Sequence, residues 1–292
     1  MALFDSEFLK KLEYLSIVSR RVFRGQLMAQ RRTMQMGGGI EFADHRDYTP
    51  GDDFRYLDWN LYARHDELLL KRFQEEEDLH LYILLDCSRS MGIGEPAKFD
   101  MARQLAAALA YIALADLDRV AVIGFAENIV ADFPLTRGKA HILGLMKFLE
   151  GLTPQGRDTS LSEMVRAFVH RSQRRGLAIL ISDLFDPTGF ELGLNLLRHH
   201  RYEPSVLQLY APRDADPNVL GDVELLDVET ESLRKITVTE KNLRQYRTIF
   251  RDFLGRAQTY CRNYGMSYTV SSTEIAFDEL LLQMMRTAAI AS

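Results

Sequence analysis

The chain has 292 residues, of which 47% are hydrophobic and 26% are charged, and its formal net charge is −5. This composition is typical of a soluble globular protein with a sizeable core, and the acidic balance argues against nucleic acid as the main partner. The longest apolar stretch, residues 105–115, is too short to span a membrane, and the two cysteines lie far apart in sequence, so we expect no membrane span, no disulfide framework and a cytoplasmic location.

Residues 1–78 are predicted to form an N-terminal helical arm and a small segment of strands and turns. Apolar residues at three- and four-residue spacing predict a helix over residues 5–36. The Thr-Pro-Gly-Asp sequence at residues 49–52 fits a type II turn, and residues 68–75 fit a strand that leads into the main sheet. Around Trp59, the only tryptophan, we expect the aromatic side chains to form a small satellite core.

Residues 79–292 alternate between strand patterns and helix patterns and are predicted to form the main domain. Apolar runs, nearly continuous in all but the last, predict strands at residues 79–85, 119–125, 177–182, 205–210 and 266–270. The segments between and after them predict helices over residues 98–115, 139–150, 160–173, 190–200, 240–263 and 275–288. This order predicts an α/β fold with a doubly wound, mostly parallel sheet and helices on both faces.

Two further segments are expected to be antiparallel. Residues 128–135 follow the second strand too closely for a crossover helix, so they are predicted to form a short edge strand. Residues 223–228 and 234–239 alternate between apolar and polar side chains, which predicts a hairpin inserted at about 222–239.

Polar side chains cluster where the first strand of the main domain ends. Asp86, Ser88 and Ser90 form a D-x-S-x-S loop directly after the apolar run at 79–85. Alternate side chains of an extended loop point the same way, so these three can converge at the edge where open α/β sheets bind ligands. Their oxygens suit Mg²⁺ or Mn²⁺ and not zinc. Ser and Asp after a strand are also ordinary turn and helix-cap residues, so the loop alone leaves both interpretations open.

Two more oxygen-bearing residues favour the metal interpretation. Thr159 lies in a loop before a predicted helix, and Asp183 follows the predicted strand at residues 177–182. Two strand ends and one helix start thus carry oxygen-bearing side chains in the order Asp, Ser, Ser, Thr and Asp. Such an arrangement is difficult to obtain by chance. Asp158, next to Thr159, could add charge near the metal or cap the following helix.

Together these residues resemble the metal-ion-dependent adhesion site of von Willebrand factor A domains. Upstream, residues 41–53, 57–59 and 63–64 resemble a narrower bacterial group, the domain-of-unknown-function family fifty-eight, whose members contain such an A domain. The resemblance covers most of residues 37–290. It implies a von Willebrand factor A-like fold whose first metal loop holds Asp86, Ser88 and Ser90, whose second loop holds Thr159 and whose third holds Asp183.

The resemblance also implies a function. Family members are expected to be non-enzymatic partners of MoxR-type AAA+ ATPases that help assemble or activate other protein complexes. Serine and threonine hydroxyls coordinate Mg²⁺ without cancelling its charge, so we expect the ion to accept an Asp or Glu side chain from a partner protein.

Two alternatives remain open. A Mg²⁺-dependent phosphatase or phosphotransferase could use Asp86 as its nucleophile, but such enzymes place a second aspartate where this chain has Ser88. They also need a phosphate-binding lysine after a later strand, which the sequence does not locate. An A-like fold that binds no metal could act as a structural scaffold, although the intact set of hydroxyls argues against it.

Overall fold

The computed structural model describes residues 3–23, 32–35, 41–76, 80–156, 160–172, 174–228 and 232–290. The strands there are β1 (Arg32–Gln35), β2 (Glu41–Asp47), β3 (Leu69–Glu76), β4 (His80–Asp86), β5 (Arg119–Phe125), β6 (Ile129–Arg137), β7 (Leu177–Ser182), β8 (Glu203–Tyr210), β9 (Gly221–Leu226), β10 (Leu233–Val238) and β11 (Ser267–Ser272). The α-helices are α1 (Ser6–Phe23), α2 (Trp59–His65), α3 (Lys98–Ala115), α4 (Ile142–Gly151), α5 (Leu161–Arg171), α6 (Glu191–His199), α7 (Pro212–Ala215), α8 (Glu240–Asn263) and α9 (Phe277–Ile290).

The central sheet has six strands in the order β11-β8-β7-β4-β5-β6. Neighbouring strands are parallel except for β5 and β6, which are antiparallel. This confirms the predicted α/β fold with a mostly parallel, doubly wound sheet, and β6 is the predicted antiparallel edge strand. From β4 the chain continues to β5 on one side and later to β7 on the other, so the carboxyl end of β4 lies where the strand order reverses.

Helices cover both faces of the sheet, because alternate residues of the buried strands face opposite sides. Ile83 belongs to a core formed with α1, α3, α4 and α9. Leu84 belongs to a second core formed with α5, α6 and α8. The N-terminal helix α1 adds Phe8, Leu12 and Leu15 to the first core. None of the helices that the structure describes has the length and apolar character needed to cross a bilayer.

The N-terminal region differs from the sequence prediction in two places. Of the helix predicted over residues 5–36, the described residues contain Ser6–Phe23, whereas Arg32–Gln35 forms β1, which pairs with β3 in a small antiparallel sheet of order β1-β3-β2. Here pairing with a distant strand overrides the local helical periodicity. The prediction of a satellite core around Trp59 is also wrong, because Trp59 is 60% exposed at the start of α2.

The predicted type II turn and the strand pairing of the predicted hairpin are both confirmed. Asp52 donates its N–H to the Thr49 carbonyl at 3.0 Å, and Gly51 adopts a φ of 109°, as a type II turn requires. Strands β9 and β10 form the predicted hairpin, with Leu226 opposite Leu233 next to its loop.

Helices α5 and α6 approach each other closely at Gly193. A Cβ there would lie 2.5 Å from Leu161 Cγ and 3.1 Å from the Leu161 carbonyl carbon. We expect Gly193→Ala to lower the free energy of unfolding by about 1–3 kcal/mol, measured by urea denaturation. Gly255→Ala in α8 is the control, because no atom lies within 4 Å of its Cβ position and alanine favours a helix. Equal losses in the two variants would rule out the close contact as the cause.

Candidate metal centre

The D-x-S-x-S loop leaves the carboxyl end of β4 in the middle of the sheet, and its backbone is anchored on both sides. Cys87 donates its N–H to the Phe125 carbonyl at 2.6 Å, and the Cys87 carbonyl accepts from the Gln155 N–H at 2.7 Å. Within the loop, Asp86 Oδ1 accepts from the Ser88 N–H at 2.9 Å, which closes an Asx turn. The loop is therefore held by β5 and by the segment after α4.

The structure brings together the three predicted ligands of this loop. The hydroxyls of Ser88 and Ser90 lie 3.0 Å apart, and the Ser88 hydroxyl is close enough to the Asp86 carboxylate to favour its ionised form. Asp86 and Ser88 are fully buried, whereas Ser90 is half-buried. One carboxylate and two hydroxyls thus form a continuous chain of oxygens, and Ser90 is the member that solvent reaches.

Asp183 lies next to this chain of oxygens, at the end of the neighbouring strand β7. Ser182 joins the two strand ends: its hydroxyl donates to Asp86 Oδ2 at 2.5 Å and accepts from the Leu184 N–H at 2.8 Å. Burial, and after it the negative charge of Asp183, raises the pKa of Asp86 above its ordinary value. The ionised form of Asp86 therefore lacks a sufficient counter-charge.

The fifth predicted ligand, Thr159, and the residue before it lie outside the described residues. The next residue, Ser160, caps α5 and donates its N–H to the Ala126 carbonyl just beyond β5 at 3.4 Å. Asp186, in the loop after β7, accepts from the Leu161 N–H at 2.8 Å. The first turn of α5 is thus fixed between the end of β5 and the loop that carries Asp183.

Lys98, which the sequence analysis missed, lies beside Asp183. Its side chain is only 1% exposed at the start of α3, and its Nζ lies 2.8 Å from Asp183 Oδ2 and 3.0 Å from Asp214 Oδ2. Burial alone would lower the pKa of Lys98, but the two carboxylates outweigh burial and raise the pKa. The buried ammonium is therefore charged and shared between two aspartates.

Two of the missed residues left a signal in the sequence. Lys98 shares a helical face with Ala102 and Leu105, both fully buried, at spacings of four and seven residues. A charged residue on such a face needs a buried counter-charge. Ser182 ends an apolar strand directly before Asp183. Asp214 left none, because it lies in a four-residue helix that no periodicity predicts.

The donor set fits a hard divalent cation. It consists of oxygens alone, and it includes a carboxylate whose charge is poorly balanced. Asp86, Ser88 and Ser90 would hold the ion, and Asp183 would contribute charge beside it. Among the described residues no three His, Cys, Asp or Glu side chains gather into a group that could hold a metal, so the set depends on its hydroxyls.

Comparisons with known proteins identify relatives over most of the chain. Uncharacterized proteins of Mycobacterium bovis and of two Mycobacterium tuberculosis strains are each 25% identical over 238 residues, which is 80% of this chain and 75% of theirs. The uncharacterized protein YeaD of Bacillus subtilis is 34% identical over 107 residues, 37% of this chain and 25% of that protein.

Among solved structures, the conserved hypothetical protein BatB from Bacteroides thetaiotaomicron matches with 16% identity and a TM-score of 0.44, covering 73% of this chain and 100% of that chain. The family described as "Protein of unknown function DUF58" matches residues 44–252. Because this match spans well over half of the 292 residues, the chain belongs to the DUF58 family.

Proposed function

We propose that this chain is a non-enzymatic protein-interaction module that depends on a divalent metal ion, Mg²⁺ or Mn²⁺. The observation that carries the proposal is the convergence of Asp86, Ser88 and Ser90 at the point where the strand order reverses. Neutral hydroxyls leave much of the charge of the ion uncancelled. An Asp or Glu side chain of a partner protein would then complete its coordination.

The electrostatics of the site support this role for Asp86. Burial and the charge of Asp183 raise the pKa of Asp86, so a cation beside it would stabilise its ionised form. Asp183 differs, because Lys98 already pairs with it at 2.8 Å. Asp86 is thus the carboxylate that most needs an added cation.

The partner and the location in the cell belong to the same proposal. The resemblance of residues 41–53 to family members implies a MoxR-type AAA+ ATPase as partner and a role in assembling or activating protein complexes. A cytoplasmic location agrees with Cys87 and Cys261, which are both buried and free of disulfide bonds.

The phosphatase alternative receives less support from the described residues. Asp86 has no exposed surface, and the ammonium of Lys98 is paired with two carboxylates, which leaves it poorly placed to bind phosphate. We expect no hydrolysis of p-nitrophenyl phosphate in the presence of Mg²⁺. Turnover that disappears in Asp86→Asn would replace the interaction proposal with the enzymatic one.

We expect partner binding to depend on the metal. The full chain should bind the MoxR-type ATPase of its own organism roughly tenfold or more tightly in MgCl₂ than in EDTA, because a carboxylate–metal contact adds more than 1.4 kcal/mol. Isothermal titration calorimetry measures both affinities. Equal affinity in the two buffers refutes a metal-mediated contact, and the absence of Mg²⁺ binding to the chain itself favours the scaffold alternative.

A further inference from the structure

We propose that Lys98 is a built-in counter-ion that limits how tightly the candidate metal centre holds its divalent cation. The inference rests on the proposed metal-dependent function and deepens it, because it names the residue that sets the charge of the site. It also assigns Asp214, which lies outside the predicted ligand set, a part in tuning the same site.

The geometry of Lys98 carries the inference. Lys98 begins the helix that follows the D-x-S-x-S loop, and its ammonium reaches Asp183 Oδ2 at 2.8 Å and Asp214 Oδ2 at 3.0 Å. The ammonium also lies 5.0 Å from the centre of the Phe185 ring, so aromatic carbon shields it on that side. The same aspartate that would contribute charge to the metal is therefore already paired with a fixed cation.

A charge count follows from these contacts. Asp183 and Asp214 share one ammonium, and the charge of Asp183 also acts on Asp86, so these three carboxylates have a single fixed cation among them. A divalent ion beside Asp86 would be attracted by the negative charge of Asp183, and the ammonium that is paired with Asp183 would reduce this attraction. Lys98 thus weakens divalent binding, whereas Asp214 relieves part of this effect by drawing the ammonium toward itself.

Asp183 does not need Lys98 to stay in place. Its Oδ1 accepts from the Phe185 N–H at 3.0 Å, and its carbonyl accepts from Gln208 Nε2 at 3.0 Å. Tyr268 in turn donates its hydroxyl to Gln208 Oε1 at 2.7 Å, which fixes the amide. Replacing Lys98 therefore changes the charge beside Asp183 more than it changes the position of Asp183.

This arrangement has a consequence for partner binding. An ion that the chain holds weakly by itself gains more from an additional carboxylate than an ion whose charge is already balanced. The metal and the acidic side chain of the partner are then expected to bind cooperatively, each raising the affinity of the other. Because Lys98 weakens metal binding by the chain alone, tight metal binding then requires the acidic side chain of the partner.

The test compares Mg²⁺ and Mn²⁺ affinities of the full chain by isothermal titration calorimetry. Lys98→Met should bind each ion about tenfold more tightly, which corresponds to about 1.4 kcal/mol. Asp214→Asn should bind the ions several-fold more weakly, because the ammonium then pairs with Asp183 alone. The control is Lys235→Met, which removes the same charge from an exposed pair with Glu224 in the hairpin and should leave the affinity unchanged.

The critical result is that the ion affinity rises in Lys98→Met and falls in Asp214→Asn. If Lys98 had only a structural role, both variants would bind the ions more weakly. Weaker or unchanged binding in a folded Lys98→Met variant overturns the inference. If circular dichroism shows that Lys98→Met does not fold, Lys98→Gln replaces it, because its amide has no charge and can still donate to a carboxylate: tighter ion binding supports the inference, and weaker or unchanged binding overturns it. No binding of either ion to any variant contradicts the proposed function itself, whereas binding to wild type with no difference between variants contradicts only the role of Lys98.

Discussion

Replacement of Asp86 by asparagine is expected to remove divalent-metal binding and to leave the fold at least as stable as before. The asparagine amide carries no negative charge to attract the ion, so we expect the Mg²⁺ affinity to fall roughly 100-fold or more. The amide oxygen can still accept from the Ser88 N–H, as Asp86 Oδ1 does now at 2.9 Å. Because burial raises the pKa of Asp86, its ionised form is disfavoured in the fold, and a neutral side chain of the same shape avoids that cost.

Calorimetric titration with MgCl₂ and the melting temperature in EDTA measure the two halves of this prediction. Asp132→Asn serves as the control, because it removes the same charge from an exposed position on the edge strand β6 and should change neither quantity. Mg²⁺ binding that survives in Asp86→Asn would place the ion elsewhere in the chain. A melting temperature that drops by many degrees would mean that the carboxylate is needed for folding.

Asp183→Asn is expected to lower the free energy of unfolding by about 2–3 kcal/mol, because it leaves a buried ammonium with one carboxylate instead of two. The loss falls below that of a fully unpaired charge, since Asp214 and the new amide oxygen still solvate Lys98. Adding Lys98→Met to this variant should restore part of the stability, because the buried charge itself is then gone. Urea denaturation in EDTA measures both effects without a contribution from metal binding.

The matched control for Asp183→Asn lies on the surface. Asp216 pairs with Arg247 at 2.7 Å, but the two side chains are 56% and 42% exposed, so Asp216→Asn should cost less than about 1 kcal/mol. A loss in Asp183→Asn no larger than that in Asp216→Asn would show that the buried pair contributes little to stability.

The sheet and its helices were predictable because their signals are local. Continuous apolar runs identify strands that are buried on both faces, and β5 and β7 begin and end where the sequence analysis placed them. The same holds for α3 and α8, whose apolar faces are long and periodic. The N-terminal region was predicted less well, because β1 depends on pairing with β3 and not on a pattern of its own.

The candidate site shows the same difference between features with local sequence signals and features that depend on distant contacts. Asp86, Ser88 and Ser90 were identified from spacing within one loop, and that spacing is enough to bring their oxygens together. The pairing of Lys98 with Asp183 joins residues 85 positions apart, and no local pattern encodes such a contact. Sequence reasoning therefore identified the candidate ligands and missed Lys98, the cation paired with Asp183.

The ammonium of Lys98, shared by Asp183 and Asp214, also limits which substitutions these three positions can tolerate during evolution. Loss of the lysine alone leaves two aspartates facing each other without a cation, and loss of Asp183 or Asp214 alone shifts the balance in the opposite direction. Single substitutions at these three positions are therefore expected to be rare among homologous sequences. Where a lineage has abandoned one of them, we expect compensating replacements at the other two.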